Sequence, residues 1–228
     1  MFERREITGF SKMYQLLIFD WDGTLMDSQA RIVACLQDAA RDTGVEVPSA
    51  SAARDIIGLG LREAVHSLFP AANDSQHDML AERYREHFLV LNQSRSELFP
   101  GVESVLKELI DNNYQLAVAT GKSRRGLDRE LEETGLGSYF LSTRCADEAF
   151  SKPHPQMLHD ILDELGMDAK ASLVIGDTEY DMQMAKNAGA AALGVSYGVH
   201  ETDRLLAHGA ESCIDEFEQL TQWLHNQQ

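Results

Sequence analysis

Phe19-Asp20-Trp21-Asp22-Gly23-Thr24-Leu25 closes the short run Tyr14-Gln15-Leu16-Leu17-Ile18-Phe19. A run that is apolar, brief and stopped by Asp-Trp-Asp-Gly predicts a buried strand ended by a turn. Three further runs share this form: Leu116–Ala119, Leu173–Ile175 and Ala191–Val195, each bounded by Gly, Asp or Thr. Helical periodicity fills the spaces at Val102–Asn112, Arg124–Thr134, Gln156–Leu165 and Glu179–Ala188, and a closing amphipathic helix is expected at Glu216–Leu224. Strands alternating with helices predict an α/β fold whose parallel sheet is covered on both faces.

Residues 28–98 break the rhythm. Ala30–Thr43, Leu61–Leu68 and Met79–Leu91 carry helical periodicity, Pro48 and Pro70–Ser75 punctuate them, and no convincing strand is present. The expected organisation is an all-helical insert at 28–98 within a domain made of 1–27 and 99–228, with hinges near Asp27–Ser28 and Phe99-Pro100-Gly101. Residues 1–12 read as a loose extension. They are polar and mixed in charge, without the apolar core of an export signal, and no stretch is long and apolar enough to span a bilayer, so a cytoplasmic protein is expected.

The formal net charge of −17 excludes the basic footprint that nucleic-acid backbone binding needs. An anionic ligand would be repelled at long range, so any anion site must depend on a few placed cations. Cys35, Cys145 and Cys213 are odd in number and widely spaced, which fits buried thiols better than disulfides or a metal knuckle.

In open α/β sheets ligands bind beyond the carboxyl ends of the strands. The first strand delivers Asp20 and Asp22, two residues apart and able to leave on one side. The second ends in Thr120-Gly121-Lys122. A third region, Leu141–Phe150, leads to Ser151-Lys152-Pro153, and the fourth strand ends in Gly176-Asp177, with Asp181 one helical turn later. Singly, each has a structural explanation. Asp22-Gly23 suits a hairpin turn, Asp177 a helix cap, and Lys152-Pro153 a surface loop. Their joint order and spacing do not.

The set resembles the haloacid dehalogenase-like hydrolase superfamily over nearly the whole chain from Tyr14. Asp20-Trp21-Asp22-Gly23-Thr24-Leu25 matches its D-x-D-G-T-L motif, Thr120 its second-strand Thr or Ser, Lys152 its motif lysine, and Gly176-Asp177-Thr178-Glu179-Tyr180-Asp181 its G-D-x-x-x-D. The insert is similar to the helical cap of the subgroup containing phosphoglycolate phosphatases and β-phosphoglucomutases. The resemblance implies a Rossmann-like core with a small all-helical cap inserted after the first strand. It also implies phosphate-ester hydrolysis, with Asp20 as nucleophile and Asp22 as acid and then base. Carboxylates crowded around a phosphoryl group call for a hard cation, and Mg²⁺ fits. By resemblance, Asp20 and Asp177 supply side-chain oxygens to it, Asp22 its backbone carbonyl, and Asp181 orients its waters. Thr120 and Lys152 would hold phosphate oxygens, with Gly23, Thr24, Gly121, Lys122 and Arg62 expected at the substrate, and Arg124 beside Lys122 at the rim. Relatives that break carbon–halogen bonds lack an aspartate at the position of Asp22, so its presence favours phosphoryl chemistry.

A small phosphorylated metabolite is the expected partner, phosphoglycolate first, with no nucleic acid or membrane and a monomer or homodimer. A phosphosugar mutase is the second enzyme reading, and a non-catalytic binding protein the third. Gly121-Lys122-Ser123 is no P-loop, because Leu116 stands where the first glycine is required. Gly58-Leu59-Gly60 reads as a helix junction, and the eight histidines hold no zinc-ligand spacing.

Overall fold

The computed structural model describes residues 13–227; the extension read at residues 1–12 lies outside the described residues. Up to the middle of the chain the elements are β1 (Leu16–Phe19), β2 (Met26–Asp27), α1 (Gln29–Thr43), α2 (Ala50–Asp55), α3 (Leu61–Leu68), α4 (Asp74–Glu86), β3 (Glu97–Leu98) and α5 (Val102–Asp111). They continue with β4 (Gln115–Thr120), α6 (Arg124–Thr134), β5 (Ser142–Cys145), α7 (Gln156–Leu165), β6 (Ser172–Gly176) and α8 (Glu179–Ala188). The last are β7 (Ala191–Val195), α9 (Thr202–His208), β8 (Ser212–Ile214) and α10 (Gln219–His225).

Six strands form one sheet in the order β5-β4-β1-β6-β7-β8, every neighbouring pair parallel. This is the expected α/β, Rossmann-like sheet. Successive side chains of a strand face opposite ways, and each face has its own core. Leu17, Phe19, Val118 and Ile175 pack with Leu106 of α5, Leu127 of α6 and Leu220 of α10. Leu16, Ile18, Ala119 and Val174 pack on the other side with Ile161 of α7, Met182 of α8 and Leu205 of α9. Burial on both faces is why β1 reads as unbroken Leu-Leu-Ile-Phe, all four residues fully buried.

β1 is also where the winding reverses. The chain steps from β1 outward through β4 to β5 on one side, and through β6 and β7 to β8 on the other. The strand ends are nearly level there, because Phe19 pairs with both Val118 and Ile175. A crevice opens at such a switch point, and it receives the residues just beyond β1, β4 and β6.

Between β2 and β3, α1 to α4 pack on one another and contribute no strand to the sheet. The α1 face made by Ile32, Cys35, Leu36, Ala39 and Ala40 is buried, at the spacing of an amphipathic helix. β2 and β3 pair antiparallel, Met26 with Leu98, so the segment leaves and returns at one place. The short β3 was not legible, since two residues carry no periodicity. Gly58-Leu59-Gly60 does join two helices, α2 and α3.

The fourth helix departs from expectation at both ends. It begins at Asp74 rather than Met79, because the Asn73 side chain accepts from the Gln76 N–H at 3.0 Å while the Gln76 side chain accepts from the Asn73 N–H at 3.0 Å. This reciprocal cap satisfies two amide groups that a helix start otherwise leaves open. At the other end the coil widens over His87–Leu91, where the Asn92 N–H reaches back five residues to the His87 carbonyl. The widened turn directs Phe88 into the interior.

The three cysteines are free thiols; Cys35 and Cys145 are buried and Cys213 is half-buried. Burial pushes the Cys35 thiol up to about 11 and the Cys145 thiol up to about 12. Among the described residues no helix is long and apolar enough to cross a membrane.

Asn73 is exposed, so truncating it removes the cap and little else. Asn73→Ala is expected to cost about 1 kcal/mol, read as a lower urea midpoint with an unchanged slope.

Candidate active site

The turn after β1 folds around one carbonyl. Trp21 O accepts from the N–H groups of Leu25 and Met26, each at 2.9 Å, and Gly23 N–H donates to Met26 O at 2.9 Å. The turn lies against Asp177, the residue after β6. A Cβ at Gly23, whose φ is +88°, would fall 2.1 Å from Asp177 Oδ2, and one at Gly198 would fall 2.1 Å from Asp177 Cβ. The two glycines therefore admit the carboxylate from opposite sides. Its oxygens are then fixed, Oδ1 by the Thr24 hydroxyl at 2.9 Å and Oδ2 by the Val199 N–H at 2.8 Å.

Asp20, Asp177 and Asp181 form one buried cluster, each offering a carboxylate oxygen within 4.8 Å of the others. Lys152 enters it fully buried, its Nζ 2.8 Å from Asp20 Oδ1 and 2.6 Å from Asp181 Oδ1. The other Asp181 oxygen accepts from the Thr178 hydroxyl at 2.6 Å and the Thr178 N–H at 3.1 Å, closing a capping box at the start of α8. Both Asp181 oxygens are thus taken. Asp20 differs: its two oxygens are sealed from solvent, and neither accepts a hydrogen bond of good geometry.

Burial raises the Asp20 carboxyl to about 7, although Lys152 pulls it down. Burial, then Asp20 and Asp181, hold Asp177 well above the usual carboxylate range. Burial works against the charge on Lys152, but Asp181 and Asp20 outweigh it and keep the ammonium above its ordinary value. Ionising all three carboxylates against one ammonium would leave two negative charges uncompensated in a dry site, which is what pushes Asp20 and Asp177 upward. Asp20 Oδ2, which accepts no hydrogen bond, and an all-carboxylate donor set fit a hard divalent cation.

A second charged group stands on the other side of the turn. Asp22 Oδ1 accepts from the Ser28 hydroxyl at 2.6 Å and lies 3.0 Å from Lys122 Nζ. The same ammonium is 3.3 Å from Glu130 Oε1, and Trp21 Nε1 donates to Glu130 Oε2 at 2.5 Å. It also lies 4.5 Å from the centre of the Phe88 ring. Burial opposes its charge, and Asp22 and Glu130 together keep it protonated. Thr120 is fully buried at the end of β4, its Oγ1 accepting from the Lys122 N–H at 3.2 Å. Asp20, Asp22 and Thr120 line the floor of a pocket roofed by the 28–98 helices.

A family model described as haloacid dehalogenase-like hydrolase matches residues 17–195. The chain belongs to that family. It is 38% identical to "Probable phosphatase IndB" of Dickeya dadantii, over 93% of this chain and 94% of that protein. It is 28% identical to a phosphoglycolate phosphatase of Vibrio parahaemolyticus, over 90% of this chain and 94% of that one. A solved hydrolase from Pseudomonas syringae superposes with a TM-score of 0.85 at 24% identity, covering 93% of this chain and 98% of that one, which is a likeness of fold.

In this haloacid dehalogenase-like hydrolase several expected substrate contacts are spent elsewhere. Lys122 is no rim group: it is buried, and two carboxylates balance its charge. The Thr24 hydroxyl is committed to Asp177, and the Gly23 N–H to Met26. Arg62 is exposed on α3 and outside the pocket lining, which Leu61 and Ala64 of the same helix reach instead. Arg124 turns to Glu148, Asp128 and Thr143. Gly121 lines the pocket, where a Cβ would fall 2.5 Å from Leu59 O, so glycine there lets the α2–α3 connection sit down on β4.

Other groups at the site carry no signal in the sequence. Glu130 looks like one acid among many on α6, and Lys122 and the Trp21 N–H together make its burial tolerable. Gly198 and Val199 lie in a loop without motif character. Asp55 of α2 meets Arg204 of α9, while the Asp55 carbonyl accepts from the Tyr180 hydroxyl at 3.3 Å, tying the helical segment to the sheet domain.

Removing Lys152 would strand Asp20 and Asp181 as uncompensated buried charges. Lys152→Met is expected to destabilise the metal-free protein by about 3–5 kcal/mol, seen as a lower melting temperature in EDTA.

Proposed function

We propose that this hydrolase is a Mg²⁺-dependent phosphatase that cleaves a small phosphomonoester through an aspartyl phosphate on Asp20. One observation carries the reading: Asp20, buried and ion-paired with Lys152, and Asp22, with a fixed carboxylate, meet at the floor of a pocket beside Thr120. That is the pairing of a nucleophile and a proton-transfer group that ester cleavage needs.

Asp20 attacks phosphorus and displaces the alcohol. Asp22 gives the leaving oxygen its proton, then takes one from the water that hydrolyses the acyl phosphate. Ser28 and Lys122 hold Asp22 in one orientation for both steps. Lys152 offsets the charge of Asp20 while Thr120 offers its hydroxyl to the phosphoryl oxygens. Asp20 and Asp177 would hold Mg²⁺ with the carbonyl of Asp22. When bound, the ion neutralises the carboxylates and polarises the phosphoryl group. Asp181, its oxygens occupied by Lys152 and Thr178, acts by positioning Lys152. Residues 28–98 serve as a cap over the core of 1–27 and 99–228, excluding bulk water when closed.

Relatives named phosphoglycolate phosphatase make that ester the reference substrate. Phosphate release should require Mg²⁺ and vanish in EDTA and in Asp20→Asn. Conversion of a sugar phosphate to its isomer without net phosphate release would overturn the reading in favour of a mutase. Asp22→Asn should lower kcat by about 10²- to 10⁴-fold with alkyl esters, and far less with p-nitrophenyl phosphate, whose leaving group needs no proton.

A further inference from the structure

The pocket above Asp20 and Asp22 has an unexpected lining for a carboxylate-bearing alcohol such as glycolate. Its walls come from Ile32 and Leu36 of α1, Ile56 and Ile57 after α2, Tyr84 of α4 and Phe88 of the widened turn after it. Ile56, Ile57, Leu36 and Phe88 are all buried, and they belong to the small hydrophobic cores of the helical segment. Tyr84 and Phe88 stack, with centroids 5.7 Å apart and planes 25° from parallel, and so make one aromatic wall.

The charges around this space are already balanced or solvated. Lys122 faces it but is paired with both Asp22 and Glu130. Arg85, the other cation of the lining, is exposed at its edge. Arg62, expected to reach substrate, is not in the lining. A carboxylate on the leaving alcohol would therefore lose its hydration against apolar walls, facing Asp22, and the lining's one buried cation, Lys122, is already paired. An apolar group placed there gains by leaving water. One polar group breaks the apolar wall: among the described residues, the Tyr84 hydroxyl has no hydrogen-bond partner.

We propose that the pocket takes, as the alcohol half of its phosphomonoester, an uncharged and predominantly apolar group, with an aromatic or branched body against Tyr84 and Phe88, and discriminates against alcohols that carry a carboxylate. This specifies the leaving group of the phosphatase reading and rests on it. The reaction is unchanged: the P–O bond to the alcohol breaks, Asp22 protonates the departing oxygen, and water returns the phosphoryl group from Asp20 as inorganic phosphate.

The test uses the full chain with Mg²⁺ and four esters of primary alcohols: benzyl phosphate, 3-methylbutyl phosphate, glycerol 1-phosphate and 2-phosphoglycolate. The kcat/KM for the benzyl and 3-methylbutyl esters should exceed that for phosphoglycolate by at least about tenfold, a margin within what one or two buried methylenes supply. Leu36→Lys should narrow or reverse the ratio by supplying the missing buried cation. Leu89→Lys does the same from a half-buried lining position and stands in if the first variant does not fold. Preference for phosphoglycolate, lost on Arg85→Met, would overturn the inference and leave the phosphatase reading intact, with Arg85 as the carboxylate's partner. Equal rates for all four esters would also overturn it. No Mg²⁺-dependent phosphate release from any ester would defeat the phosphatase reading itself, and the inference with it.

Discussion

Lys152 stands between Asp20 and Asp181, with Asp177 beside them, and the architecture of the crevice is organised to tolerate that arrangement. Two carboxylates about 4 Å apart repel by about 4 kcal/mol at an effective dielectric near 20. Three of them, buried, cannot be held together by one ammonium unless their orientations are fixed by other bonds. The fold supplies these unequally. Asp177 has the Thr24 hydroxyl and the Val199 N–H, and Asp181 has Thr178. Asp20 has almost nothing besides Lys152, and the unsatisfied carboxylate is the one at the floor of the pocket. The electrostatic cost is concentrated on Asp20, the group proposed above as the nucleophile.

The same bonds build secondary structure. Asp181 caps the first turn of α8 through Thr178 while it grips Lys152, so the position of a helix and the position of a cation are one constraint. Thr24 links the turn after β1 to the end of β6, and Tyr197 donates to the Thr24 carbonyl at 2.8 Å from the loop after β7. Three strand ends are thereby tied across the switch point by side chains that make no regular ladder. Gly23 and Gly198 matter for this reason: a side chain at either would push Asp177 out of the span between them.

The sheet and its site were legible because both obey local rules. A strand buried on two faces needs an unbroken apolar run, and a parallel sheet must present its polar groups at the carboxyl ends, so Asp20, Asp22, Thr120, Lys152 and Asp177 could be assigned to one crevice from spacing and resemblance. The features that escaped depend on contacts between elements. Lys122 was expected at the substrate, and it does line the pocket, but its pairing with Glu130, eight positions later, depends on a contact that spacing alone does not show. Arg62 was placed at the substrate from its position beside a glycine junction, but helix phase decides which residue of α3 turns inward, and that phase brings Leu61 and Ala64. β8 and α9 are short elements at the far edge of the sheet, where three or seven residues give too little periodicity to read. The early start of α4 was written in Asn73 and Gln76, a capping pair hidden by the proline-led stretch before it.

The acidity of the chain bears on how an anionic ester reaches this site. A net charge of −17 opposes its approach, and the cations expected to compensate are fewer in practice than in the sequence. Lys122 is neutralised by Asp22 and Glu130, while Lys152 is outnumbered by the carboxylates around it. A phosphoryl dianion brought to Asp20 would add two charges to a cluster of three carboxyl groups that holds one ammonium. The one ammonium in the aspartate cluster does not balance that sum, and on the reading proposed above a divalent cation held there would. Specificity then has to be exercised away from the phosphoryl group. Apolar contact is well suited to the task, because burying hydrocarbon against Leu36, Ile57 and Phe88 adds affinity without adding charge to a site that has too much of it.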